Sequence, residues 1–191
     1  MPQVFVAAGS NVEPRQHMLL ATREDQQRLM ATLASMPAFL AARFGAMSDQ
    51  EARERANGLP SPVEQVWHLA DLELEGFGVR IERLLNEENP QLADFDGTAV
   101  SERRHYRTKS LREGMVAFAR ARADNIEALA RVTPPQWSRR GEQDGVGPVA
   151  LCDIPTMMAE HDAVHRAEIE AWSARGATAA VNEDVRGRMA R

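Results

Sequence analysis

The chain is poor in cysteine. It has one, Cys152, among 191 residues, so no disulfide bond can form within it. No apolar run approaches the roughly 20 residues that a membrane-spanning helix needs, and the first residues lack the basic segment with which a secretion signal starts. Because disulfides are rare in the cytosol, these absences favour a cytoplasmic protein that does not associate with membranes.

The chain also lacks a basic surplus. Its 23 Lys and Arg residues are outnumbered by 28 Asp and Glu residues, which gives a formal net charge of -5. No basic stretch contains interleaved aromatic residues, so nucleic acid is not the expected partner. Apolar residues make up 43% of the sequence, which suits the core of one compact domain of this length.

Helical periodicity is what the sequence does contain, since apolar residues recur at helical spacing in four long segments. Ser61-Pro62-Val63-Glu64 is the clearest helix start, because Ser61 can cap, proline is tolerated in the first turn and Glu64 completes a capping box. The first predicted helix begins at Glu13, and Pro37 kinks or divides it. The second runs from 62 to about 86. The third runs from about 109 to 132, where Thr133-Pro134-Pro135 stops it, and the fourth runs from about 153 to 175, where Gly176 ends it.

The segments between the helices predict the fold class. Residues 87–108 are polar and contain Pro90 and Gly97, so we interpret them as a long crossover loop, with room for one helical turn, of the kind that often shapes a site. Residues 136–150 are interpreted as irregular or as a loose hairpin. The pattern predicts an all-α protein, a four-helix bundle that is either up-and-down or crossed.

The chain ends are expected to lie outside this bundle. We divide the chain into a short N-terminal arm, 1–20, a helical bundle domain, 21–176, and a C-terminal tail, 177–191. The arm is expected to pack on the bundle or on a second subunit, and the tail to be a frayed helix or disordered.

Two histidines in the fourth segment suggest metal chemistry. His161 and His165 are four residues apart, which places both imidazoles on one helix face, about 6 Å apart at Cβ. A third, His68, lies among apolar residues of the second segment and is expected to face or border the core. Three histidine ligands that leave positions for water are typical of catalytic zinc sites. Spacing alone does not connect His68 to the pair, and histidines that are merely hydrogen-bonded against the core are the alternative.

Two stretches around these histidines carry a family resemblance. They are Trp67-His68-Leu69-Ala70-Asp71-Leu72-Glu73 and Ala159-Glu160-His161-Asp162-Ala163-Val164-His165-Arg166-Ala167-Glu168-Ile169. They resemble the signature segments of the DinB-like superfamily, which includes bacillithiol transferases and mycothiol-dependent maleylpyruvate isomerases, and the likeness runs from about Asp25 to Trp172. It implies a DinB-like four-helix bundle, often dimeric, with His68, His161 and His165 as metal ligands.

Nearby carboxylates are candidate catalytic residues. Glu168 stands three residues after the second histidine of the pair, where the family often has glutamine, and Asp71 stands one turn after His68. Either can orient a ligand histidine or act as a general base, and an ion pair between helices is the alternative for both. The same choice applies to Glu64, and Asp162 is expected to face solvent.

The basic cluster at 103–107 is a candidate for cofactor or substrate binding. Arg104 and His105 could bind the anionic part of a substrate or thiol near the mouth of the site, and the alternative is a solvated loop paired with nearby acids. Cys152 precedes the fourth helix, whose dipole can lower a thiol pKa. Because no base is evident near it, we interpret Cys152 as a small buried side chain.

These observations predict a metal-dependent enzyme. One divalent ion, zinc or nickel first and iron as a further option, would activate a nucleophile. The resemblance implies a low-molecular-weight thiol as that nucleophile, with transfer to a small-molecule electrophile or thiol-dependent isomerisation, and hydrolysis is the close variant. The hypothesis from another class is a non-catalytic metal-binding or stress-response bundle. In either case we expect a homodimer.

Overall fold

The structure, a computed structural model, describes residues 23–55 and 58–189. The helices are α1 (Arg23–Phe44), α2 (Pro62–Asp71), α3 (Gly78–Asn86), α4 (Gly97–Arg104), α5 (Leu111–Ala130) and α6 (Ile154–Met189). The strands are β1 (Gln91–Leu92), β2 (Arg140–Gln143) and β3 (Gly147–Ala150). The predicted N-terminal arm lies outside the described residues. No helix in the described ranges is long and apolar enough to span a membrane.

A continuous helical rod over residues 62–86 carries one side of the bundle. At its start, the backbone amide and hydroxyl of Ser61 both donate to the Glu64 carboxylate, over 2.9 and 2.6 Å. These bonds satisfy polar groups at the end of a helix, where the backbone leaves them unpaired. The predicted capping residues therefore set the first turn of α2.

The rod widens into a π-helical turn at Leu72–Phe77, between α2 and α3. The backbone amide of Gly78 donates to the Glu73 carbonyl, five residues back. The side-chain amide of Asn125, on α5, donates to the same carbonyl over 2.8 Å. A side chain inserted into the helical ladder is a recognised cause of such local distortion, and π-turns are frequent at functional sites.

The core consists of two apolar clusters stacked along the bundle. Met158 of α6 and Leu72 of the rod belong to one cluster, whereas Ile169 of α6 and Leu69 of the rod belong to the other. His161 and His165 lie between Met158 and Ile169 in the sequence of α6. The histidines therefore occupy the level at which the two clusters meet.

A small three-stranded sheet adds to the bundle without altering its class. Strand β2 pairs parallel with β1 and antiparallel with β3. The turn between β2 and β3 uses Gly145 and Gly147 at φ of 73° and 96°, a region that glycine enters without strain. Residues 136–150 thus contain the hairpin that was one of the two alternatives, and the four-helix bundle is confirmed.

Two parts of the helical prediction need correction, and one of the two alternatives at Pro37 is excluded. The fourth helix does not end at Gly176, because α6 continues to Met189. Glycine costs only about 1 kcal/mol relative to alanine inside a helix, and the surrounding residues are largely alanine. The long loop at 87–108 contains the two-turn helix α4. Pro37 does not divide the first helix, since α1 runs through it.

Candidate metal centre

Three histidine nitrogens converge where α6 faces the rod. His161 Nε2 lies 3.3 Å from His68 Nε2 and 3.2 Å from His165 Nε2. The centroids of the three rings are 4.5 to 5.4 Å apart. His68 and His165 are buried, with 5% and 3% of their surface exposed, and His161 is half-buried. The structure therefore brings together the three residues that sequence spacing left unconnected.

The distances fit a single divalent cation. Zinc–nitrogen bonds of about 2.0–2.1 Å in a tetrahedral shell place two nitrogen ligands about 3.3–3.4 Å from each other. Each neutral imidazole nitrogen holds either a proton or a lone pair, so the single Nε2 of His161 cannot satisfy both of its neighbours by N–H donation alone. A cation accepts all three lone pairs at once. The donor set therefore fits a metal ion.

Burial keeps His68 and His161 in the form that ligates. Burial first, and then the positive charge that His165 would carry, lower the pKa of His68 to about 3. Burial, the other two histidines, and the cations Arg122 and Arg80 hold the pKa of His161 well below its usual value. A metal requires the neutral imidazole, and at pH 7 both residues are neutral.

Apolar and small residues surround the three imidazoles. The Phe77 ring, in the π-turn, meets the His161 ring edge-on at 6.2 Å, and the Phe95 ring lies 6.0 Å from that of His68. Gly97, the first residue of α4, approaches His68 so closely that an added Cβ would lie 2.6 Å from its Cε1 atom. The segment at 95–97 thus closes over His68, and only glycine permits this approach.

Glu168 lies beside one of the histidines, as the sequence suggested. Its Oε2 atom is 3.2 Å from His165 Nδ1. The pair lacks the alignment of a hydrogen bond, and neither atom has another hydrogen-bond partner among the described residues. Proximity allows Glu168 to orient His165 after a small rotation, which is the role that carboxylates often take beside ligand histidines.

Asp71, the last residue of α2, belongs to a separate polar cluster. Its partners are Arg104, the last residue of α4, and Tyr106, which follows α4. Tyr106 donates its hydroxyl to Asp71 over 2.5 Å, and the Arg104 guanidinium lies 2.7 Å from the same carboxylate and 2.5 Å from that of Glu75. Burial and the Asp71 carboxylate raise the pKa of Tyr106. Asp71 therefore connects the rod to the end of α4 through Arg104 and to the segment after α4 through Tyr106. His105 is exposed, in the left-handed conformation at φ 50°.

The remaining acids have partners of their own. Glu64 accepts from Ser61 and pairs with Arg55; burial raises its pKa, but the hydrogen bonds from Arg55 and Ser61 outweigh burial and lower it overall. The expectation that Asp162 faces solvent was wrong, because it is buried and pairs with Arg122 at 2.7 Å. Cys152 is buried, and burial raises its thiol pKa to about 11, which fits the interpretation of a packed side chain.

Arg122 is the main feature that the sequence reasoning missed. It donates to Asp162 over 2.7 and 2.9 Å, to Glu73 over 2.9 Å and to the Leu33 carbonyl over 3.1 Å. Asn125 completes the cluster by donating to Glu73 over 2.9 Å. These contacts join α1, the π-turn, α5 and α6.

A signal for Arg122 was present in the sequence. Phe118, Arg122, Asn125 and Leu129 follow the helical spacing of an inward face, and all four are buried. A buried cation at such a position is costly unless a carboxylate pairs with it. An acid on another helix was therefore to be expected opposite Arg122, although spacing could not say which one.

Comparison with known proteins identifies relatives of the fold. A family model described as the DinB superfamily matches residues 22–169. The chain is also similar to a solved structure, YfiT from Bacillus subtilis, described as a probable metal-dependent hydrolase with an unusual four-helix bundle topology. The TM-score is 0.77 at 22% identity, over 87% of this chain and 94% of that one. The comparison with curated protein sequences finds no significant match.

Proposed function

Because the chain belongs to the DinB superfamily and brings three histidine nitrogens to one point, we propose that it is a metal-dependent enzyme acting on a small molecule. The observation that carries this proposal is the separation of 3.2 and 3.3 Å between Nε2 atoms that come from two different helices. Hydrogen bonding alone does not account for three Nε2 atoms that converge on one point, because the Nε2 of His161 cannot pair with both of its neighbours by N–H donation.

His68, His161 and His165 would hold the ion, with zinc or nickel first and iron as a further option. When bound, a divalent ion supplies Lewis acidity, which makes water or a thiol nucleophilic at neutral pH. The protein residues contribute the surroundings. Phe77 and Phe95 limit water around the imidazoles, and Glu168 is close enough to fix the orientation of His165.

We favour a low-molecular-weight thiol as the nucleophile, with transfer to a small electrophile or thiol-dependent isomerisation. The support is the resemblance of the segments around His68 and His161 to those of thiol-using members of the superfamily. Hydrolysis is the second candidate, because the similar structure of YfiT is described as a probable metal-dependent hydrolase. A homodimer in the cytoplasm is part of the same proposal.

The test is an activity screen on metal-loaded protein. Protein reconstituted with one equivalent of zinc or nickel would be assayed with a panel of small thiols and an alkylating electrophile, and in parallel with simple esters and amides. We expect turnover that a chelator removes and the same metal restores. His161→Ala should abolish turnover. Val164→Ala, a change at an exposed position of the same helix, should retain it.

Two results would count against the proposal. Equal turnover in the His161→Ala protein would show that the reaction does not use the histidine cluster. Stoichiometric metal binding without turnover, either with thiols and the electrophile or with esters and amides, would favour the non-catalytic metal-binding bundle.

A further inference from the structure

Arg80 is a buried cation with little to balance it. It lies on α3 with 5% of its surface exposed. Its polar contacts are long: Nη2 is 3.4 Å from the Ala93 carbonyl and 3.8 Å from Asp94, a carboxylate whose side chain is 58% exposed. Its Nε atom is buried without a hydrogen-bond partner among the described residues.

The other buried arginine shows how unusual this is. Arg122 donates four hydrogen bonds, three of them to the buried carboxylates of Asp162 and Glu73. Taking an unpaired charge out of water is energetically unfavourable. Arg80 bears this cost with only a distant and exposed carboxylate as its counter-charge. The charge of Arg122 is balanced by two buried carboxylates, although its Nε atom, like that of Arg80, has no hydrogen-bond partner among the described residues.

Arg80 lies next to the histidine cluster. Its guanidinium stands over the Phe77 ring at 5.6 Å, and that ring contacts His161 at 6.2 Å. The charge of Arg80 is close enough to lower the pKa of His161. The residues that Arg80 contacts, Ala93 and Asp94, directly precede Phe95, which packs on His68. One segment therefore borders both the cation and the imidazoles.

We propose that Arg80 forms an anion-binding subsite beside the histidine cluster, where it receives a carboxylate of the small-molecule substrate. This inference rests on the proposed function, since the subsite is useful only if a reaction takes place at the histidines. A planar guanidinium matches the geometry of a carboxylate. The unpaired Nε–H is the donor that an incoming carboxylate oxygen would occupy, and the pairing would neutralise the buried charge.

Binding can be measured without any activity. Metal-free protein, with chelator present, would be titrated with propionate and with the neutral isostere propionamide. The readouts are the Nε–Hε resonance of Arg80 by NMR and calorimetric affinity. We expect propionate alone to shift that resonance, and Arg80→Gln to weaken propionate binding at least tenfold. Arg80→Lys should bind with intermediate affinity, since it keeps the charge but loses the fork.

Arg120→Gln is the matched control, because Arg120 is an exposed arginine of α5 outside the basic cluster and its loss should leave propionate affinity unchanged. Equal binding of propionate and propionamide, or an Arg80→Gln protein that is folded and binds propionate normally, would overturn the subsite. If Arg80 served only to hold the 93–94 segment, the Gln variant would be less stable but propionate would not raise the melting temperature of the wild type.

The outcomes also separate this inference from the proposed function. Metal binding and turnover without a propionate-induced shift would disprove the subsite and leave the enzyme assignment standing. Propionate binding at Arg80 in a protein that binds no metal would disprove the proposed metal-dependent function and leave the anion-binding subsite standing.

Discussion

At the scale of single residues, burial decides the charge of the histidines. His68 is held neutral by its surroundings, with a pKa lowered to about 3, whereas a histidine in the unfolded chain titrates near its usual value of about 6.5. The unfolded state therefore binds a proton between these two values that the folded state cannot bind. The stability contributed by neutral His68 is present above the unfolded pKa and is lost as the pH falls through this window.

Metal-free protein should accordingly lose stability on acidification. One such histidine contributes a slope of up to about 1.4 kcal/mol per pH unit, so the wild type should lose about 2 kcal/mol more than His68→Gln between pH 7 and pH 5. Urea unfolding in the presence of chelator at several pH values measures this difference. Parallel pH profiles for the two proteins would show that His68 is not buried in the neutral form.

Arg122, in contrast to His68, is buried in its charged form, and two buried carboxylates balance that charge. Removing it would leave the carboxylates of Glu73 and Asp162 buried and facing each other, and breaking such a cluster typically costs about 3–5 kcal/mol. We expect Arg122→Met to lower the free energy of unfolding by that amount in chemical denaturation. Arg120→Met, an exposed arginine on the same helix, should change it by less than about 0.5 kcal/mol.

A small effect at Arg122 would mean that the apolar replacement packs as well as the ion cluster does. A double substitution then shows whether Arg122 and Asp162 are coupled. If they are, Arg122→Met combined with Asp162→Asn should lower the free energy of unfolding by less than the sum of the two single changes.

At the scale of elements, α4 acts as a cover for His68. Asp96 caps the helix by accepting from the Ala99 amide over 2.9 Å, which places Gly97 directly against the imidazole. The Gly97→Ala change would put a methyl group 2.6 Å from His68 Cε1, and either the helix or the ring must move.

We therefore expect Gly97→Ala to weaken metal binding by about tenfold or more, the usual effect of disturbing groups that orient a ligand. Competition with a chromophoric chelator measures the affinity. Ala99→Ser, on an exposed position of the same helix, should bind metal as the wild type does. Unchanged affinity in the alanine variant would show that α4 does not constrain His68.

The elements differ in how far the sequence could predict them. Ser61, Pro62 and Glu64 mark the start of the rod through local chemistry, and the structure confirms those bonds. The π-turn could not be predicted in this way, because it depends on Asn125 from another helix. The two turns of helix α4 were not predicted, because it buries few residues, Gly97 and Val100, and so shows no apolar period.

At the scale of the whole molecule, the arrangement of four helices decides what the sequence leaves open. Spacing places His161 and His165 on one face of one helix, and nothing in the local sequence ties them to His68. The contacts of Arg122 join the elements that carry these histidines, the rod and α6. The same packing explains the error at Asp162, because a residue beside a ligand histidine was expected in solvent and is instead an anchor of the bundle.

The central claim is that three histidines from two helices form one metal site, and metal content tests it most directly. Mass spectrometry on tag-free protein dialysed against zinc or nickel should find about one ion per chain in the wild type. His68→Ala should retain a folded circular dichroism spectrum and lose the ion, and His105→Asn should keep it. A His68→Ala protein that still binds one ion with wild-type affinity would contradict the account, because the cluster would then not be the site.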